Sequence, residues 1–131
     1  MAKFIEYALT CFPPFIQHAA AYALNYMDKI TAEFRNDLRK KRDYALGRLK
    51  EIGSFVPNNV EGGFYLFPTY YQKIPSRELA MRLLEEKNVA VLPGSAFGTR
   101  GEWKVRITFS GSLESFEKGM DRIEDFIKKL S

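Results

Sequence analysis

Between positions 103 and 110, Trp103, Val105, Ile107 and Phe109 alternate with Lys104, Arg106, Thr108 and Ser110. A period of two predicts a strand with the first set turned to a core and the second set on the opposite face. Arg106 then stands mid-strand on the non-core face. Farther on the period lengthens. Leu113, Phe116, Met120, Ile123, Ile127 and Leu130 recur every three or four positions, which predicts an amphipathic last helix capped by Ser112. Glu114 near its start and Lys128-Lys129 near its end suit the helix dipole.

The same reading places the other elements. Pro13-Pro14 suits a helix start, and Phe15, Ile16, Ala19, Ala20, Ala23, Leu24 and Met27 recur at helical spacing. That helix either serves this chain's own core or docks against something outside it. From Asp28 to Ile52, Ile30, Phe34, Leu38, Ala45, Leu49 and Ile52 form one stripe, with Lys41 interrupting it and Gly53 as the stop. Such a helix would be about 35 Å long or more. Phe64–Phe67, ended by Pro68, reads as a short buried strand. Ser76 is a candidate N-cap for a helix whose apolar face is Leu79, Leu83 and Leu84, ended by Lys87-Asn88. Val89–Leu92 reads as another buried strand, stopped by Pro93-Gly94.

From residue 28 the order is helix, strand, helix, strand, strand, helix. The short connection between Val89–Leu92 and the 103–110 strand suits antiparallel neighbours. The expected class is α/β, or α+β-like: a small mixed or mostly antiparallel sheet of three to four strands packed by helices. No internal repeat or low-complexity segment occurs.

Composition narrows the function classes. A chain of 131 residues suits one compact domain. Eleven Phe and seven Tyr imply an aromatic-rich core, or aromatic surface that something outside the chain covers. With one cysteine, Cys11, neither an intrachain disulfide nor a cysteine-based zinc site is possible, and a reducing compartment is expected. With one histidine, His18, a multi-histidine metal site is excluded. No run is apolar enough to span a bilayer, and the expectation is a cytoplasmic protein.

A net charge of +4 and a pI near 9.2 are compatible with an anionic ligand or a polyanion. Arg35, Arg39, Lys40, Arg42, Arg48 and Lys50 could make a nucleic-acid face on the long helix, but Glu33, Asp37 and Asp43 are interspersed, as on a solvated face. Gly94-Ser95-Ala96-Phe97-Gly98 lacks the Gly-Lys-Ser/Thr of a phosphate loop and reads as a tight turn or the rim of a site. Arg106 has two readings: a solvated strand arginine, or a planar fork that grips a carboxylate through paired hydrogen bonds.

Four pieces taken together resemble a known family. They are Gly62-Gly-Phe-Tyr-Leu-Phe-Pro68, then Leu79-Ala80 on a helix, then Val89-Ala-Val-Leu-Pro-Gly-Ser-Ala-Phe-Gly98, then Val105-Arg-Ile-Thr-Phe-Ser110. In order and approximate spacing they resemble the C-terminal part of class I/II aminotransferases, the pyridoxal-phosphate enzymes of fold type I in the aspartate aminotransferase group. Thr10–Gln17 resembles the segment after the cofactor-lysine region. Arg39–Arg42 with Asp43 and Leu49 resembles the long interdomain helix.

The resemblance implies that Arg106 binds the substrate α-carboxylate, with Gly94, Ser95 and Phe97 near the site. It implies pyridoxal 5'-phosphate as cofactor of the complete enzyme, an amino acid and a 2-oxo acid as substrates, and a homodimer. No nucleic-acid partner and no membrane partner are expected. The sequence also departs from the family pattern: no Ser-Lys dipeptide occurs, and the aspartate and Asn-Pro-rich segment of the large domain are missing. The expectation is a small C-terminal domain over residues 28–131, preceded by a helical remnant of the large domain over 1–27. It is expected to be inactive alone and unable to hold the cofactor by itself. The alternatives are a stand-alone amino-acid-binding regulatory module and a basic nucleic-acid-binding domain.

Overall fold

The computed structural model describes Lys3, Tyr7 and residues 12–130. Cys11 and the start of the Thr10–Gln17 segment lie outside the described residues. Contacts divide the chain into two units, Met1–Asn36 and Asp37–Ser131.

In the first unit, α1 (Pro14–Asn25) opens as the double proline predicts: Pro13 is the N-cap and Pro14 takes the first helical turn, where a missing N–H costs no bond. None of its residues is buried, so it contributes no core within this chain. Phe15, Tyr22 and Leu24 are exposed, and the Tyr22 and Tyr26 rings lie 4.7 Å apart. A second helix, α2 (Met27–Ile52), follows. Its early stripe residues Ile30 and Phe34 are exposed rather than in a core.

In the second unit the later turns of α2 bury Ala45 and Leu49, with Leu38 and Ile52 partly covered. Gly53 ends the helix at φ 71°, a left-handed position that favours glycine. A two-stranded antiparallel pair, β1 (Phe55–Val56) and β3 (Thr69–Tyr70), follows a register of Phe55 opposite Tyr70. A second, three-stranded antiparallel sheet has the order β2-β5-β4, with β2 (Tyr65–Leu66), β4 (Leu92–Pro93) and β5 (Val105–Thr108). Helices α3 (Ser76–Lys87) and α4 (Leu113–Leu130) supply the rest of the core. Leu66, Val105, Ile107 and Phe109 from the sheet side meet Leu79 and Leu83 of α3 and Phe116, Met120, Ile123 and Ile127 of α4. The expected architecture, helices packed on a small antiparallel sheet, is the one observed.

Several local expectations are corrected. Ser76 does not cap α3. Pro75 does, and its carbonyl accepts the Leu79 N–H at 2.9 Å, while the Ser76 side chain is buried and turned to the 94–97 loop. The strand expected over Val89–Leu92 begins only at Leu92, because the Val89 N–H is committed to the Leu83 carbonyl in the cap of α3. Asn88 turns that cap at φ 53°, as expected for asparagine. The 103–110 strand is shorter than its alternation. Trp103 sits at φ 66° and is exposed instead of lining the core. Leu84 and Leu113 are exposed, whereas Phe126, outside the expected stripe, is fully buried. A helix packed on a sheet buries an arc wider than one line of residues, which is why Phe126 joins Ile123 and Ile127.

Candidate functional site

The alternation in β5 does what the sequence predicts at its centre. Val105 and Ile107 are buried, Thr108 is exposed, and Arg106 is half-buried on the other face. Register then supplies its neighbours. Leu92 of β4 is directly opposite Arg106, and Tyr65 of β2 is opposite Thr108, one diagonal step away. At that diagonal a long side chain and a ring can meet. The guanidinium carbon of Arg106 lies 4.3 Å from the centre of the Tyr65 ring and 4.9 Å from that of Phe97. Among the described residues it has no hydrogen bond and no acid partner. Beside it is a cavity of about 300 Å³ lined by Tyr65, Ala90, Val91, Leu92, Arg106, Thr108 and Ser110.

Phe97 is delivered by the loop between β4 and β5, which folds into two short 3-10 turns, Gly94–Phe97 and Thr99–Gly101. The turns pack backbone to backbone at Gly94 and Gly101, and the Gly94 N–H donates to the Lys104 carbonyl at 2.8 Å. Ser95 is not turned to the cavity. Its N–H donates to the Ser76 hydroxyl at 3.2 Å, and the two hydroxyls are 3.0 Å apart. The Ser76 N–H in turn donates to the Glu102 carboxylate at 2.5 Å. That backbone donor holds the Glu102 carboxyl below its ordinary pKa. The loop is thus tied to the first turn of α3. Of the loop residues singled out in the sequence, Gly94 and Ser95 shape the turn, and Phe97 meets Arg106.

Two contributors escaped sequence reading. The apolar run Phe64–Phe67 predicts a buried Tyr65, yet Tyr65 neighbours buried Leu66 on a two-residue strand and therefore faces the other way. Phe67 meets Phe97 edge to face at 5.6 Å, and the Lys104 ammonium lies 5.5 Å from the Phe67 ring centre. A second cavity, about 380 Å³, lies between β5 and α4, with Lys118 and Arg122 among its lining. Those cations are engaged, Lys118 with Glu114 at 2.6 Å and Arg122 with the Lys87 carbonyl at 3.4 Å. Of the cations lining these two cavities, Arg106 is the one without an acid or carbonyl partner among the described residues.

Other candidates gain nothing from the geometry. His18 is exposed, and among the described residues no group of His, Cys, Asp and Glu could hold a metal ion. On α2, Lys41 pairs with Asp37 and Arg42 with Asp43, each at 2.7 Å. Arg48 bonds Glu51, Asp121 and Glu124. The basic face is therefore partly neutralised by its own acids. No helix among the described residues is long and apolar enough to cross a membrane.

The chain as a whole is similar to known proteins. The model of the family described as aminotransferase class I and II matches residues 6–123. An aspartate aminotransferase of Pyrococcus abyssi (strain GE5 / Orsay) is 39% identical over 133 residues, spanning 98% of this chain and 34% of that protein. An aromatic-amino-acid aminotransferase 2 of Thermococcus litoralis is 38% identical, spanning 98% and 34%. The crystal structure of an aromatic aminotransferase from Pyrococcus horikoshii OT3 superposes with a TM-score of 0.88 at 38% identity, covering 97% of this chain and 35% of the other. The chain spans about a third of the length of the relatives it matches. With the family model covering nearly all of it and the fold agreeing, the chain belongs to the class I and II aminotransferases.

Proposed function

We propose that this chain is the small C-terminal part of a pyridoxal-phosphate-dependent aminotransferase, with residues 28–131 as that domain and 1–27 as a remnant of the large one. In that reading Arg106 binds the α-carboxylate of the amino acid and of the 2-oxo acid between which the amino group moves. One observation carries it: Arg106 is half-buried at a cavity, and its guanidinium rests on two rings without an acid partner among the described residues. A half-buried guanidinium without a carboxylate is ready for one from outside. Its planar fork matches the two oxygens, which a lysine cannot do.

The residues around Arg106 do not fit the cofactor. The cavity lining contains no lysine to form an imine and no acid to face a pyridine nitrogen. The chain therefore binds and orients the substrate acid group, and the cofactor-holding groups belong to the two thirds of its relatives that it does not span. The chain alone is inactive, and the complete enzyme is a homodimer.

Reconstitution tests this. The chain is mixed with the part of the Pyrococcus abyssi aspartate aminotransferase that it does not match, pyridoxal phosphate is added, and transamination is followed. Separately, the chain alone is titrated with pyruvate, with the Arg106 side-chain resonances as the readout. Pyruvate binding that falls at least tenfold in Arg106→Lys supports the reading. Binding or reconstituted turnover indifferent to Arg106→Lys overturns it.

A further inference from the structure

Arg106 is held by rings where a buried arginine is ordinarily held by an acid. Four cation–ring contacts occur among the described residues, and two of them converge on this one guanidinium. A third continues the same row: Lys104, two positions away on the same side of the strand, faces Phe67, which meets Phe97, which meets Arg106, which meets Tyr65. A carboxylate partner would fix the guanidinium more strongly, but it would also occupy the N–H edge that an incoming carboxylate needs. A ring attracts the cation through its face and uses no N–H.

We infer that Tyr65 and Phe97 are positioning residues for carboxylate recognition: their rings hold the Arg106 guanidinium in place while leaving its hydrogen-bonding edge unspent. This rests on the reading that Arg106 binds a carboxylate. It makes two demands that reading does not. The ring, not the Tyr65 hydroxyl, is the working part, so Tyr65→Phe retains the function. Phe97 works through the geometry of its loop, so holding Phe97 in place is the task of the Ser76–Ser95–Glu102 ties and the Gly94–Gly101 contact. Both rings are large and exposed, at 41% for Tyr65 and 50% for Phe97, so burial in a core does not explain either side chain.

The test uses the full chain, with pyruvate and acetate as probes and the Arg106 Nε–H resonance as the reporter. In the wild type that resonance is expected to lie upfield of an ordinary arginine, shifted by the two ring currents. Phe97→Leu and Tyr65→Leu each move it toward the ordinary position and weaken carboxylate binding about three- to tenfold, the size expected for one cation–ring contact at a partly desolvated site. Tyr65→Phe and Phe97→Tyr restore both. An unshifted wild-type resonance overturns the inference even if a leucine variant fails to fold, and so does unchanged affinity in folded leucine variants. Loss of binding in Tyr65→Phe also overturns it, by moving the role to the hydroxyl. If instead Arg106→Lys binds the probes as well as wild type while the ring-current shift is present, the carboxylate reading is what fails.

Discussion

Gly94 and Gly101 touch through their backbones so closely that neither position can carry a side chain. A Cβ on Gly94 would stand 2.0 Å from the Gly101 carbonyl oxygen, and one on Gly101 would stand 1.9 Å from that of Gly94. Gly94→Ala must push the two 3-10 turns apart, at a cost of about 3 kcal/mol for overpacking that backbone cannot relieve. Gly98→Ala has open space but must hold φ at 111°, and should cost about 1–3 kcal/mol through strain alone. Gly119→Ala, inside α4 with open space around it, should stabilise by about 0.5–1 kcal/mol. Urea midpoints of the three variants would expose an error in this ranking. A Gly94→Ala protein as stable as wild type would show that the turns are not in contact.

The carboxylate of Glu102 gives the same loop a pH dependence. The Ser76 backbone N–H is the main cause of its lowered pKa, opposed by partial desolvation. A group whose folded pKa is depressed stabilises the fold above its unfolded value, here 4.5, and that contribution is lost as pH falls through the folded value. The wild-type minus Glu102→Gln difference in urea midpoint should therefore be constant near neutrality and shrink below about pH 4.5. Subtracting the variant isolates Glu102 from Glu124 and Asp125, whose carboxyls are also held low. A difference that stays flat into acid would mean the Ser76 bond is not made in solution.

Much of this fold was legible because it is written in strong periods. The β5 alternation put Arg106 on the correct face, and the stripe from Phe116 to Ile127 predicted the buried side of α4. What escaped has physical reasons. Strands of two residues, such as Phe55–Val56 and Thr69–Tyr70, are too short to show a period. Ser76 carries the signature of a cap, but a tertiary partner, Ser95, claims its hydroxyl. The stripe of Ile30 and Phe34 obeys the helical period, yet both are exposed in this chain, because period reports which face is apolar and not whether anything covers it. At the site, Tyr65 and Phe97 come from segments about thirty residues apart, and only the β2–β5 register with the loop turns brings both to Arg106.

Tyr70 anchors the small β1–β3 pair. Its hydroxyl donates to the Ile74 carbonyl at 2.8 Å and its ring meets Trp103 edge to face at 6.3 Å. Burial pushes the phenol up to about 12, and the nearby Glu102 charge adds to it. A folded pKa raised above the ordinary 10.0 means the contribution is fully present below that value and is lost as pH rises through about 12. In an absorbance titration Tyr70 should ionise above the ordinary phenol value of 10.0, and together with unfolding. Tyr70→Phe should destabilise by about 1 kcal/mol through the lost bond and the unpaired Ile74 carbonyl. Identical titrations of wild type and Tyr70→Phe would refute this placement.

Arg48 joins α2 to α4 through three acids. It reaches Glu51 at 2.7 Å and Asp121 and Glu124 at 2.8 Å each, with its own side chain 17% exposed. Those hydrogen bonds raise its pKa, so it stays charged at any pH the fold survives. Because Arg48 is mostly covered while Glu51 and Asp121 lie largely in solvent, its removal leaves a cluster of like charges next to partly buried Tyr44. Arg48→Met keeps most of the aliphatic packing and deletes the charge. The variant should unfold at lower urea than wild type at low ionic strength. The gap should narrow as salt is raised, since screening weakens both the lost attraction and the new repulsion among the exposed carboxylates. Asp121→Asn in the Arg48→Met background should then recover stability, by removing one of the repelling charges. If the gap is independent of salt and Asp121→Asn restores nothing, the contribution of Arg48 lies in packing rather than charge.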